Sequence, residues 1–116
     1  MDENQEHNFP IHQCSDIIQP DTPFSIESKG HIRIEQLSIL SDDESLNGSR
    51  VTVMAHVLAN TSDRRQIAMD VAISSFIIGR DYDQPMNLVI SPTDKCTLTI
   101  VETQVPIQIL YSCFTG

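Results

Sequence analysis

The chain has 116 residues, 40% of them hydrophobic, with seven basic against sixteen acidic side chains and a formal net charge of −9. That length suits one domain able to bury its own core, and the composition excludes wholesale disorder. The charge argues against gripping nucleic acid, because that affinity comes from lysine and arginine neutralising phosphates. An acidic surface suits a basic protein partner or an ordinary solvated domain equally well. Cys14, Cys96 and Cys113 are odd in number, and no apolar run near Met1 resembles a signal peptide, which favours free thiols in an intracellular setting. No stretch reaches the roughly 18 apolar residues that span a bilayer.

Residues 1–8 are polar and are expected to be a flexible N-terminus, with one folded domain over 9–116. From Phe9 the chain reads as short strands divided by turn chemistry. Phe9 to Cys14 alternates apolar and polar side chains, with Pro10 acceptable on an edge strand. Gln19-Pro20-Asp21-Thr22-Pro23 is a turn signal, followed by the alternating run Phe24 to Glu27 and by Lys29-Gly30. His31 to Glu35 places apolar residues at Ile32 and Ile34, whereas Leu37 and Ile39 continue on odd numbers. A β-bulge near Glu35-Gln36 accounts for the change of phase, since one extra residue exchanges the two faces.

Arg50 to Ala59 is the clearest strand, with Val51, Val53, Ala55 and Val57 on one face and Thr52, Met54, His56 and Leu58 on the other. Asn60 to Asp63 reads as a hairpin loop, leading to a partner strand with Ile67, Met69, Val71 and Ile73 on one face, followed by the short apolar run Phe76 to Gly79. Asp81 to Pro85 and Ser91 to Lys95 are turns around Met86 to Ile90, followed by Cys96 to Val101 and a last strand, Ile107 to Phe114. About eight strands at 8–12-residue spacing, without a helix-length amphipathic segment, predict an all-β antiparallel sandwich or barrel.

Two features bear on function. Met54 and Leu58 lie opposite the valines of their strand, and Leu110 and Phe114 lie opposite Ile107 and Ile109. A monomeric antiparallel sandwich usually keeps one face polar, so the doubled apolarity predicts a subunit interface containing Met54, His56, Leu58, Leu110 and Phe114. Scattered exposed apolar residues are the plainer explanation. Asp42, Asp43 and Glu44 form one acidic loop between strong strands, either a partner-binding patch for basic segments or a solvated turn.

No hydrolase elbow, zinc-protease motif or glycine-rich phosphate loop is present, and the expectation is a protein that is not an enzyme and uses no cofactor. His12 and Cys14 have metal-compatible side chains but lack the second pair that a zinc site needs, so no metal site is predicted. Cys96 and Cys113 read as small buried hydrophobes.

The order of these elements resembles the nucleoplasmin-like core domain, in particular the one that precedes the catalytic domain of nuclear FK506-binding-type prolyl isomerases. The resemblance runs from Phe9 to Phe114 through Phe9-Pro10-Ile11, Gln19-Pro20-Asp21, His31 to Leu37, the acidic Asp42-Asp43-Glu44, the paired strands Arg50 to Leu58 and Gln66 to Ile73, and then Gln84 to Leu88, Cys96 to Val101 and Val105 to Ile109. Pro10-Ile11 stands where that family usually has tryptophan and glycine, and Tyr111 where a glycine is common. The resemblance implies an eight-stranded jelly-roll protomer that assembles with itself, as a pentamer, and acts as a nuclear histone chaperone. It makes Asp42, Asp43 and Glu44 the acidic patch, and Val51, Val53, Leu98, Ile100, Ile107 and Ile109 core. The partners implied are further copies of the chain and histones or other basic proteins, with no direct nucleic acid and no membrane. Two alternatives stay open: a ring that is only an oligomerisation scaffold, and a monomeric sandwich that binds a ligand.

Overall fold

The computed structural model describes residues 10–26, 30–60 and 63–114. The expected flexible N-terminus lies outside the described residues, as do Phe9, Glu27, Lys29 and the middle of the expected loop after Asn60. The described residues form eight strands: β1 (Pro10–Ile18), β2 (Phe24–Ile26), β3 (His31–Ile39), β4 (Arg50–Asn60), β5 (Gln66–Ile77), β6 (Asp83–Ile90), β7 (Lys95–Glu102) and β8 (Ile107–Phe114). They form two four-stranded sheets, ordered β1-β8-β3-β6 and β2-β7-β4-β5, and every pairing is antiparallel. The chain is an all-β antiparallel sandwich.

The alternation of apolar residues decides which face of each sheet turns inward. Ile32, Ile34 and Leu37 of β3 and Ile107 and Ile109 of β8 meet Val51, Val53 and Ala55 of β4 and Leu98 and Ile100 of β7, all of them buried. The expected core residues are therefore in the core. The β3 phase change is a register shift between Ile34 and Gln36 against both β6 and β8, which keeps Ile34 and Leu37 on the same inner face.

Two expectations change. Ile73, expected on one face with Ile67, Met69 and Val71, is instead an extra residue: β5 is one strand through Ile77, and its register against β4 slips between Val53 and Met54. The slip converts an odd-numbered inner face (Val71 opposite Ala55) into an even-numbered one (Phe76 opposite Val51), which the sequence shows only as a break in pattern. The second change is at Asp83 to Pro85, expected as turn, which belongs to β6; Pro85 is tolerated because β6 is an edge strand bonded to β3 alone.

The two sheets are joined along one flank by Gln84. Its Oε1 accepts from Ser74 Oγ, and its Nε2 donates to the Ser75 carbonyl at 2.6 Å, tying β6 to β5 across the sandwich. The connections β1–β2, β3–β4, β5–β6 and β7–β8 gather at one end. There Ile39 N donates to Tyr82 O (2.8 Å), Leu40 N to Pro106 O (3.0 Å) and Thr103 N to Arg50 O (3.1 Å). The β4–β5 hairpin and the β6–β7 turn lie at the other end.

Candidate assembly and partner surfaces

The acidic loop is locally built. Asp43 Oδ1 accepts from Ser45 N (3.0 Å) and Ser45 Oγ (2.6 Å), capping a single 3-10 turn over Glu44–Leu46. Those bonds hold the Asp43 carboxyl below the ordinary carboxylate range. The loop is anchored beyond its turn, where Gly48 N donates to Ile78 O (2.8 Å) and Ile78 N to Ser49 O (2.9 Å). Gly79, at φ +88°, lets Asn47 lie against its backbone; a Cβ there would sit 2.7 Å from Asn47 Cγ. Between these segments runs a shallow groove of about 270 Å³, lined by Ser41, Asp42, Glu44, Asn47, Ile78, Gly79 and Tyr82.

Asp42, Asp43 and Glu44 are all exposed, and they are not alone. The same end of the sandwich carries Asp21 in the β1–β2 turn, Asp81 and Asp83 around the β5–β6 turn, and Glu102 at the end of β7, against only Arg50 and Arg80 among the described residues. Arg80 donates to Asp81 at 3.1 Å. That guanidinium, with Ile77 N donating at 2.9 Å, holds the Asp81 carboxyl low. The opposite end carries Arg64, Arg65 and Lys95 beside Asp63 and Asp94. The negative charge is thus concentrated at one pole. Sequence reading found the three adjacent carboxylates and missed the others, because residues 21, 81, 83 and 102 converge only through the antiparallel topology.

The five candidate interface residues do not form one patch. Met54, His56 and Leu58 lie on the outer face of β2-β7-β4-β5, since Val53, Ala55 and Val57 turn inward. Leu110 and Phe114 lie on the outer face of β1-β8-β3-β6, since Ile109 is buried and Tyr111 and Cys113 pack toward the core. The two groups are on opposite sides of the sandwich. Met54, Leu58, Leu110 and Phe114 are half-buried within their sheets and His56 is exposed. Phe114 is covered by Arg33, whose guanidinium carbon stands 4.8 Å from the ring centroid.

His56 links its strand to both neighbours. Nδ1 lies 2.8 Å from Asp70 Oδ1 on β5 and Nε2 lies 2.9 Å from Thr99 Oγ1 on β7, so the ring spans three strands. A carboxylate, an imidazole and a hydroxyl in series invite comparison with a hydrolytic triad. Here they lie across an open sheet surface, with the imidazole side chain 42% and the Asp70 side chain 68% exposed. Among the described residues, the grooves at Ile26–Lys95, at Cys14–Tyr111 and at Ser41–Tyr82 are lined by other residues.

Cys14, Cys96 and Cys113 form no disulfide with one another. Cys96 is buried, and burial pushes its thiol pKa up. Cys113 is half-buried against the core, and Cys14 is half-buried beside Tyr111 on the neighbouring strand. Partial burial and the bond to Asp16 Oδ2 (2.9 Å) push the Tyr111 hydroxyl well above its ordinary range.

No protein-family model and no curated protein sequence matches the chain. Solved structures do. The Drosophila NLP core superposes with a TM-score of 0.63 at 12% identity, over 87% of this chain and 95% of that one. The fold is nucleoplasmin-like. The nucleoplasmin-like N-terminal domain of Drosophila FKBP39 agrees, with a TM-score of 0.61 at 8% identity over 90% and 89% of the two chains. The crystal structure of the NLP core concerns pentamer formation and histone binding by that protein. At such low identity the nucleoplasmin-like likeness is one of backbone architecture.

Proposed function

We propose that this domain is a homo-oligomerising module, ring-forming and pentameric, that acts as a histone chaperone or histone-binding domain in the nucleus. The observation that carries the reading is the placement of apolar side chains on both outer faces of a nucleoplasmin-like sandwich. A closed ring needs a heterologous contact, in which one surface of each protomer meets a different surface of the next. Met54 and Leu58 on one side, with Leu110 and Phe114 on the other, supply two such surfaces. A two-fold dimer would need only one of them.

The polar charge distribution supports the partner half of the proposal. In a ring whose protomers all point the same way, each acidic end adds to one negative pole. Such a pole attracts lysine- and arginine-rich segments and strengthens with copy number. Asp42, Asp43 and Glu44 are three adjacent exposed members of it, and no covalent chemistry is assigned to the domain. The test is salt-dependent binding of core histones, followed by fluorescence anisotropy, to the wild type and to the triple variant Asp42→Ser, Asp43→Ser, Glu44→Ser. The reading predicts binding that weakens with added salt and falls at least tenfold in the variant. Equal binding by both would remove the Asp42–Glu44 loop from the contact, and no salt-sensitive binding by the wild type would leave the ring as a scaffold that confers valency without histone affinity.

A further inference from the structure

One edge of the sandwich is treated differently along its length. Among the described residues β5 bonds only to β4, so its other edge is the rim of its sheet. The half of that edge near the acidic pole is closed: Gln84 Nε2 occupies the Ser75 carbonyl, and Asp81 Oδ2 accepts from Ile77 N. The half from Gln66 to Ala72 is open. Every residue in it is exposed, it contains no proline, and Asp70 is its one charged side chain, already hydrogen-bonded to His56. Soluble proteins normally blunt such an edge with lysine, proline or a covering segment. On the face shared with Ala55 and Val57, this segment also presents Ile67, Met69 and Val71, which are 46%, 44% and 48% exposed.

We propose that Gln66–Ala72 pairs, antiparallel about a two-fold axis at Met69, with the same segment of a second copy, making the two β2-β7-β4-β5 sheets one continuous sheet. The occupant follows from the self-match of the segment. Its straight part is bounded by the hairpin turn before Gln66 and by the extra residue Ile73, and Met69 is its midpoint. A two-fold there sets Ile67 opposite Val71 and Met69 opposite Met69, so that the apolar stripes of both copies fuse on one face. On the other face Asp70 meets Ala68, so no like charges stand directly opposite. Pairing in which residue numbers sum to an odd value would place Ile67, Met69 and Val71 on the same face as the partner copy's Gln66, Ala68, Asp70 and Ala72 and split the apolar stripe. This contact is separate from the outer faces invoked for the ring and does not depend on it.

The experiment is disulfide trapping combined with native mass spectrometry on the full chain. Directly opposed residues in an antiparallel pair have Cα atoms about 4.5–5.5 Å apart, within disulfide range. Met69→Cys is therefore expected to form a disulfide between the substituted positions of two copies at least tenfold faster than Ala72→Cys forms its own, since the two Ala72 positions would lie about 20 Å apart. The variant Ile67→Lys, Val71→Lys is expected to have half the wild-type mass, and both substitutions are at exposed positions that the protomer fold does not use. Comparable trapping at 69 and 72, or an unchanged mass in the lysine variant, overturns the edge pairing. A wild type of two protomers that falls to one keeps the edge and removes the ring; a wild type of five that ignores the lysines keeps the ring and removes the edge.

Discussion

His56 Nδ1 lies 2.8 Å from Asp70 Oδ1, a cross-strand bond in the middle of the outer face of β2-β7-β4-β5, flanked by Met54 and Leu58. Because both side chains are open to water, the pair contributes little to protomer stability, about 0.2–1 kcal/mol. Its consequence is positional: the imidazole is fixed upright between two apolar side chains on a surface proposed to meet a neighbour. His56→Ala is expected to leave the protomer melting transition almost unchanged while moving the oligomer dissociation midpoint to at least tenfold higher concentration, read by light scattering on dilution. An unchanged midpoint would place the contact elsewhere.

Gly79 tests how firmly the acidic loop is held. Its φ of +88° and the 2.7 Å approach of Asn47 leave no room for a methyl group. The left-handed conformation alone costs a non-glycine residue about 1–2 kcal/mol, and the clash with Asn47 adds to it. Gly79→Ala is expected to destabilise the domain by at least that much in urea unfolding. Combining it with Asn47→Ala should recover the steric part only, leaving the backbone part in place.

The pH dependence follows from Asp43 and Asp81. Both carboxyls sit below their ordinary value of about 3.9, Asp43 through Ser45 and Asp81 through Arg80 and the Ile77 amide. A group with a depressed folded pKa contributes stability above its unfolded pKa and loses it as pH falls through the folded one. Urea midpoints should therefore be insensitive to these two groups above about pH 5 and should decline below about pH 4. The difference between wild type and Asp81→Asn should close across that lower window. A difference that persists undiminished at about pH 2 would show that the bonds of Asp81 do not depend on its charge.

Core packing gives the largest single-residue effects. Phe76 and Leu98 are fully buried. Phe76→Ala is expected to cost about 3–5 kcal/mol and Leu98→Ala about 2–5 kcal/mol, measured by urea unfolding. Ile67→Ala, at an exposed position of β5, should cost under about 0.5 kcal/mol in a monomeric background.

What could be read beforehand depended on whether the pattern was local. The strands, the core of Val51, Val53, Leu98, Ile100, Ile107 and Ile109, and the bulge beside Glu35 all follow from alternation within a few residues. The bulge at Ile73 was hidden because Ser74 and Ser75 fall on opposite faces between Ile73 and the apolar Phe76, Ile77 and Ile78, so either phase turns one serine inward, and in the fold Ser74 is the buried one. The separation of Met54 and Leu58 from Leu110 and Phe114 was hidden for a different reason. Each pair is legible on its own strand, but only the sheet order β1-β8-β3-β6 and β2-β7-β4-β5 places the pairs on opposite sides. The same holds for Asp21, Asp81, Asp83 and Glu102, which join the acidic loop through topology. Exposure of Ile67, Met69 and Val71 had no sequence signal at all, since an alternating strand looks the same whether or not a second sheet covers it.

The central claim is self-assembly, and the solution mass tests it most directly. Light scattering at micromolar concentration, on the lysine variant Ile67→Lys, Val71→Lys so that edge pairing does not contribute, is predicted to give about 65 kDa, five protomers of 13.0 kDa. A mass of 13.0 kDa under the same conditions would contradict the ring.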